Sequence, residues 1–526
     1  MNDFFQTKDG KPVFLTGLQA HNSSTGTFMM QKALQAIKHY GGNVLEAPVY
    51  WNSIEPAENI FDFSLVKKLI CDARSANLYL IILWFGSSKN GHPNYAPEYI
   101  KQNPQKYELA KSVTGAPVMS ISPHCQATLA KDKRAFTKLM EFIRSEDEKI
   151  GTILGIQVEN EMGLANTDRD YSSTAEADYQ RPVPAVLRDV FLEDCGETSG
   201  ENTWRGRFGR HAHEAFCAWY HGAYIEEIAS AGKKIYPLPM LVNVMVGEHG
   251  TEEAGLDYSG GAAVGRVLDI WKKAAPSIDL LCPDLYCSCR DEYERICKRY
   301  KRLDNPLFIP ESSCHFMANA LNMFRAVANF DAIGVCGFGA ESALKDDGTL
   351  LESAIPVATS MRILSSVAPL LIRYHKTGKI HALIQEEYMS EQYLRLDHYH
   401  ILAKYFSLDN DHMWLGSTIN MRNPDNSYIL QERGRALLFE TGEFEFFLTG
   451  TGVHVSFLRR PDPLDENPYP KLTSRAYGQL NFLSVEEGHF ESDNFVVDYI
   501  RNGDEANGLV YVHAGQVVRI RLNPEL

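Results

Sequence analysis

Apolar residues gather into eight short runs over the first two thirds of the chain: PVFLTGL (12–18), NVLEAPVYW (43–51), LYLIILWFG (78–86), TILGIQVEN (152–160), PMLVNVMV (239–246), IDLLCPDLY (278–286), PLFIPES (306–312) and AIGVCGFG (332–339). Each is short and apolar nearly throughout, the pattern of a strand covered on both faces. Between most of them the period changes to that of a helix. FMMQKALQAIKHYG (28–41) ends on a Gly suited to a left-handed cap, and SLVKKLICDARSANL (64–78) opens on Ser64, which we expect as an N-cap. DKRAFTKLMEFIRSEDEK (132–149) and the 213–233 segment complete the clear helices. Strand alternating with helix predicts a parallel sheet, and eight repeats predict a (β/α)8 TIM barrel of class α/β. The insert between the fourth run and the 213–233 helix is Pro-rich and acidic, and is expected to form loops over one face.

The pattern changes after about residue 370. YLRLDHYHILAKYF, MWLGSTINMRN, the 427–460 stretch and FVVDYIRNG with the segment that follows alternate in hydropathy between Asn, Gly and Asp turns. We therefore expect a barrel over residues 1–370 and a smaller all-β, sandwich-like domain over 375–526. No run approaches the ~18 apolar residues of a membrane helix.

The chain has 526 residues, 44% of them hydrophobic, and a formal net charge of −15. That balance argues against a nucleic-acid partner, which needs a basic surface. It suits a neutral small-molecule or oligosaccharide substrate, although solubility alone accounts for it equally well. The N-terminus, MNDFFQTKDGKP, shows neither a basic nor an apolar leader region, so a cytoplasmic location is expected, with a homo-oligomer left open. The ten cysteines are scattered. Cys282, Cys287, Cys289 and Cys297 are spaced C-x4-C-x-C-x7-C, unlike paired CxxC knuckles, and are read as reduced thiols rather than a zinc site.

Barrels of this kind carry chemistry at the C-terminal ends of their strands. The fourth run ends in Glu159-Asn160-Glu161 and the seventh in Glu311. Two facing carboxyls are the minimal machinery of glycoside hydrolysis, one as proton donor and the other as nucleophile. Strand alternation puts Glu159 and Glu161 on the same side and does not choose between them. Ile156 and Val158 are expected in the packed layers of the barrel. Trp51, Trp84, Tyr286 and Phe338 lie near other strand ends and are candidate platforms for a sugar ring. The Tyr286 hydroxyl is expected to bond Glu311, and Asn160 to bond the hydroxyl beside the reacting carbon. Glu46 is read as either a substrate ligand or a paired core acid. Gln19 and His21, with Asn22, are candidate substrate contacts, a loop role for His21 being equally consistent; Asp284 and Glu55 read as structural.

These residues resemble a known group. GIQVENEMG resembles the acid/base segment of family 35 glycoside hydrolases, QVENEYG, and YWNSIEPAENIFDF (50–63) resembles their second-strand signature, WNxHEPxxGxFDF. EAPVYWN (46–52), ILWFGSSKN (82–90), APSIDLLCPDLY (275–286) and NPLFIPE (305–311) are similar to segments of a bacterial subgroup related to families 35 and 42, in which a barrel precedes a small β domain. The resemblance covers most of residues 10–340. It implies a retaining β-galactosidase that needs no metal or organic cofactor, with Glu161 as acid/base, Glu311 as nucleophile, Asn160 and Tyr286 as their neighbours, and Glu159 behind them. The chain departs from the pattern at Ile54, where the signature has His, and at Pro48-Val49-Tyr50-Trp51, so recognition of the axial 4-hydroxyl is not carried over. Another retaining specificity (β-glucosidase, α-L-arabinosidase or β-glucuronidase) and a non-catalytic carbohydrate-binding protein are the alternative expectations. For the C-terminal domain we expect polysaccharide binding, pocket shaping or an oligomer contact.

Overall fold

A computed structural model of the chain describes residues 3–247, 252–387, 389–405, 432–459, 482–506, 509–513 and 515–523. The strands expected in MWLGSTINMRN and over 427–431 lie outside these residues.

All eight apolar runs are strands: β1 Leu15–Gln19, β2 Val44–Tyr50, β3 Tyr79–Lys89, β4 Ile153–Asn160, β5 Met240–Met245, β6 Leu280–Leu285, β7 in two pieces, Phe308–Ile309 and Glu311–Ser312, and β8 Gly334–Phe338. A helix follows each: α1 Met29–Tyr40, α2 Ser64–Ser75, α3 Gln126–Asp147, α4 Ala212–Ile235, α5 Leu268–Ala274, α6 Arg290–Tyr300, α7 Met317–Phe330 and α8 Ile355–Ser366. The sheet is parallel and runs from the first piece of β7 through β8, β1, β2, β3, β4, β5 and β6 back to the second piece of β7. Pro310, which has no N–H to give a neighbour, divides the two pieces, so β7 begins and ends the order and closes an eight-stranded barrel.

Side-chain alternation sorts the strands into two layers. Leu15, Val44, Ile81, Leu83, Phe85, Leu154, Leu241, Leu280, Phe308 and Ile333 fill the interior, with Phe5 from a short N-terminal hairpin. Leu18, Leu45, Ile82, Trp84, Ile156 and Val158 pack outward against the helices. Ile156 and Val158 therefore lie outside the barrel's own packed layers, because a register irregularity near Leu154 resets the alternation of β4. Helix α1 ends as expected, on Gly41 at φ 65°. Ser64 is instead the first helical residue of α2, and its N–H is capped by the carboxylate of Asp62 at 2.8 Å.

The C-terminal strands are β9 Ile380–Ile384, β10 Glu391–Arg395, β11 Tyr399–Tyr405, β12 Arg435–Gly442, β13 Glu445–Thr451, β14 Val453–Arg459, β15 Phe482–Glu491, β16 Asn494–Ile500, β17 Val510–Val512 and β18 Val517–Leu522. They form two antiparallel sheets, β9-β12-β13-β18-β15-β16 and β10-β11-β14-β17, whose facing residues share one core that includes Ile401, Leu438, Phe446, Val455 and Ile520. The other face of the larger sheet is buried too. Leu437, Phe439, Phe447 and Val517 belong to the same core as the barrel's outer helices. Arg435, wholly buried, crosses the junction and donates to Ser360 Oγ at 2.6 Å and the Pro356 carbonyl at 2.9 Å, both on α8.

Candidate active site

Strand β4 ends in a way that alternation does not foresee. Glu159 and Glu161 both adopt positive φ, 61° and 44°, so the chain twists at each and the two carboxyls part company. The Glu159 carboxylate leaves the barrel axis and passes between β3 and β4. There it accepts the backbone N–H groups of Gly86, Ser87 and Ser88 and the Ser87 hydroxyl at 2.7–3.2 Å. It also faces Asp132 of α3. Burial and that neighbouring acid raise the proton affinity of Glu159 well above the ordinary carboxyl range, and burial raises that of Asp132.

Glu161 stays at the barrel mouth. Its carboxyl, that of Asp284 on β6 and that of Glu311 on β7 each place one oxygen within 4.8 Å of the others, and all three are buried. Their surroundings differ. Glu311 accepts the Tyr286 hydroxyl at 2.5 Å and the Gln19 amide at 3.3 Å, with the Asn243 amide 3.5 Å away. Burial raises its pKa, while Tyr286, Lys89 and Gln19 pull it back. Glu161 has neither a tyrosine hydroxyl nor an amide on its carboxyl, which instead meets the Asp284 carboxyl. Burial, with the charge of Glu311, lifts it to about 7, against the opposing field of Lys89. Asp284 accepts the Asn243 amide at 2.8 Å, and burial and the two glutamates raise its pKa well above its ordinary range. One pocket thus holds a carboxyl whose anion receives hydrogen-bond donors beside another poised near neutrality.

An amide network ties the group together. Asn243 also donates to Asn160 Oδ1 at 3.3 Å, Gln157 donates to the same oxygen at 3.2 Å, and Asn160 donates to Asn90 Oδ1 at 3.2 Å. The Lys89 ammonium bonds that same Asn90 oxygen. Below lies Glu46, fully buried with its carboxyl against the Cys336 thiol; burial raises its pKa well above normal. His21 donates its backbone N–H to Glu341 at 3.0 Å and stands edge-on to Phe338, ring centroids 5.1 Å apart. A cavity of about 200 Å³ opens beside Glu161, bounded by Met245, Tyr286, Cys287 and Ile296.

Of the candidates, Glu161, Glu311, Asn160, Tyr286 and Gln19 come together, with Glu46 beneath them. His21 and Phe338 share the mouth formed by β1 and β8. Trp51 and Trp84 do not reach it. Trp84 occupies an outward position of β3, where its ring packs near Phe136 and its N–H donates to Asp132 at 2.9 Å. Strand β2 stops at Tyr50, and a helical turn carries Trp51 into the core, where it donates to Glu55 at 3.1 Å. Lys89, Asn90 and Asn243 had no place among the sequence candidates, and Asp284 read as structural. Asn243 and Asp284 did leave a signal, each being a lone polar side chain inside an otherwise apolar strand.

Residues 25–211 match the family model for glycoside hydrolase family 42, described as β-galactosidase. This part of the barrel is thus similar to family 42 glycoside hydrolases. Residues 357–512 match a domain of unknown function, DUF5597. A search of the curated proteins gives no match. Among solved structures, the chain is similar to a β-galactosidase from Bacillus circulans sp. alkalophilus at 16% identity and TM-score 0.50, over 68% of this chain and 57% of that one. It is also similar to a catalytic mutant of a GH42 β-galactosidase from G. stearothermophilus, at 14% identity and TM-score 0.51, over 70% of this chain and 58% of that one. The catalytic domain of a β-amylase from Paenibacillus polymyxa matches over 68% of this chain and 98% of its own, at 13% identity and TM-score 0.51. The chain thus spans under two thirds of the two β-galactosidases, and at these identities the likeness is one of fold. Among the described residues, no helix is long and apolar enough to cross a membrane.

Proposed function

We propose that the barrel releases terminal β-D-galactose from oligosaccharides or glycoconjugates with net retention. The observation that carries this is the pair Glu161 and Glu311, at the ends of β4 and β7, with one oxygen of each within 4.8 Å and with the Tyr286 and Gln19 donors directed at Glu311. Retaining glycosidases place their carboxyls ~5–5.5 Å apart, whereas inverting ones leave room for a water at ~6.5–9.5 Å. Glu161 gives its proton to the glycosidic oxygen as the Glu311 carboxylate attacks the anomeric carbon. Glu161 then takes a proton from water, whose oxygen replaces Glu311 on that carbon. Tyr286 and Gln19 hold the attacking carboxylate in line, and Asn160 is placed to meet the 2-hydroxyl. His21 and Phe338 border the sugar, and Glu46, kept neutral by burial, lies within the field of the Glu311 charge. The whole cycle runs on side chains, so no metal or organic cofactor is proposed. All ten cysteines are free thiols, which supports a reducing, cytoplasmic setting.

A panel of aryl glycosides tests the reading. We expect the β-D-galactoside to be cleaved ahead of β-glucoside, α-L-arabinoside and β-glucuronide, with β-galactose as the first anomer seen by proton NMR. Glu311→Gly should lose on the order of 10⁴-fold or more in kcat. First-formed α-galactose, or preference for another glycoside, overturns the proposal.

A further inference from the structure

The third carboxyl of the centre has no part in the two-glutamate mechanism, yet its placement is specific. Asp284 is fully buried, and its Oδ2 is fixed by the Asn243 amide at 2.8 Å. Its Oδ1 is equally buried and is left without a hydrogen-bond partner. Within 4.8 Å lie oxygens of Glu161 and Glu311. Three carboxylates cannot all be ionised in so small a buried space, because each added charge is repelled by the others and poorly solvated. The donors are divided unequally. Glu311 receives the Tyr286 hydroxyl and the Gln19 amide, which favour its anion. The protons therefore reside on the other two.

Resting on the functional reading above, we propose that Asp284 is a positioning residue that keeps its proton on Oδ1 throughout the reaction and presents it to Glu161, so that the acid/base is a hydrogen-bonded carboxyl pair. When Glu161 has given its proton to the leaving oxygen, the Asp284 O–H stabilises the new carboxylate and holds it in place for water. When Glu161 takes the proton from that water, the contact relaxes and Asp284 is unchanged. The other groups whose fields reach Asp284 are the Lys89 ammonium and the Tyr286 and Cys282 side chains, and burial holds both Tyr286 and Cys282 neutral. Burial and the charges of Glu311 and Glu161 favour the protonated Asp284.

An amide reproduces a protonated carboxyl here, since its NH₂ can donate to Glu161 and its oxygen can accept from Asn243. The test compares Asp284→Asn with Asp284→Ala in the full-length protein. For Asp284→Asn we expect recovery of most of the kcat that Asp284→Ala loses, with the basic limb of the kcat/KM–pH profile where the unaltered protein has it. For Asp284→Ala we expect a kcat loss of ~10–100-fold with little change in KM, and a basic limb displaced upward, because the Glu161 carboxylate has lost its donor. A downward shift of that limb in Asp284→Asn means that Asp284 was an anion and overturns the proposal, as does an unchanged profile in Asp284→Ala. An infrared titration gives a second readout that needs no turnover. At about pH 8, above the titration of Glu161, the unaltered protein should retain a protonated-carboxyl C=O band that Asp284→Asn lacks. Identical band intensity in the two proteins overturns the inference whatever the substrate proves to be, whereas band loss in a protein that cleaves no galactoside tells against the functional reading alone.

Discussion

Glu159 and Glu161 are two residues apart on one strand and share neither direction nor partner. The first is surrounded by three peptide N–H groups and a hydroxyl, whereas the carboxyl of the second meets that of Asp284. Since Glu161 must be protonated to cleave, kcat/KM should fall as pH rises through about 7. Glu311 must be ionised, so the acid limb should lie above the ordinary carboxylate range, the direction in which burial moves it. A profile measured from pH ~4 to ~9 checks both limbs. The Asp132–Glu159 pair has a different consequence. Both carboxyls are held above their ordinary values, so the folded protein keeps protons that the unfolded chain releases. Their contribution to stability is full at low pH and is lost as pH rises beyond the carboxylate range. Asp132→Asn should therefore lose less Tm than the unaltered protein between pH ~5 and ~8, where the unfolded chain's carboxylates are already ionised. Strand-end reasoning pointed to Glu311, Gln19 and Tyr286, whose side chains meet because strand ends converge in a barrel, while the choice of Glu161 over Glu159 came from the family resemblance. It failed for Trp84, whose position one residue out of phase turns it toward α3, and for Trp51, which follows rather than ends its strand.

Strand β3 is where the site is shaped by an element rather than by single residues. Trp84 pairs with Val158 and Lys89 with Asn160, so four residues of β3 separate pairs that only Glu159 separates on β4. The surplus residues, Phe85 to Ser88, curl around the Glu159 carboxylate, which takes up three N–H groups that the sheet leaves unpaired. Gly86 makes the curl feasible, since a Cβ there would sit 2.5 Å from Glu159 Oε1 and 2.4 Å from Trp84 Nε1. Glu159→Ala should then cost at least ~3 kcal/mol, because three buried donors lose their acceptor. Activity should fall further than that loss explains, since Lys89 and Asn90 ride on the same curl. Denaturant titration and kcat measure the two effects, and Glu159→Gln should restore part of both. None of this was legible beforehand. LYLIILWFG reads as a plain buried strand, and a surplus of residues in one strand is visible only against the register of its partner.

At the scale of the molecule, the change from helical to alternating pattern marked the β sandwich, yet not how closely it is fixed. Its larger sheet is covered by its partner sheet on one side and by α7 and α8 on the other, with Arg435 set into α8. Arg435→Met removes a buried cation together with its acceptors' partner and should destabilise the protein by ~3–5 kcal/mol. Differential scanning calorimetry should then show two separated transitions in place of one. Removal of residues 375–526 should yield an aggregating barrel with α7 and α8 bare, so glycan binding by the sandwich is best measured in the whole chain. The shared core also bears on synthesis. A ribosome adding ~5–20 residues per second needs roughly 7–30 s to pass from Arg373 to Leu522. For that interval the closed barrel carries an apolar flank whose cover has not yet been made, and a slow codon or a premature stop in this stretch would leave it as a surface for chaperones or for a neighbouring nascent chain.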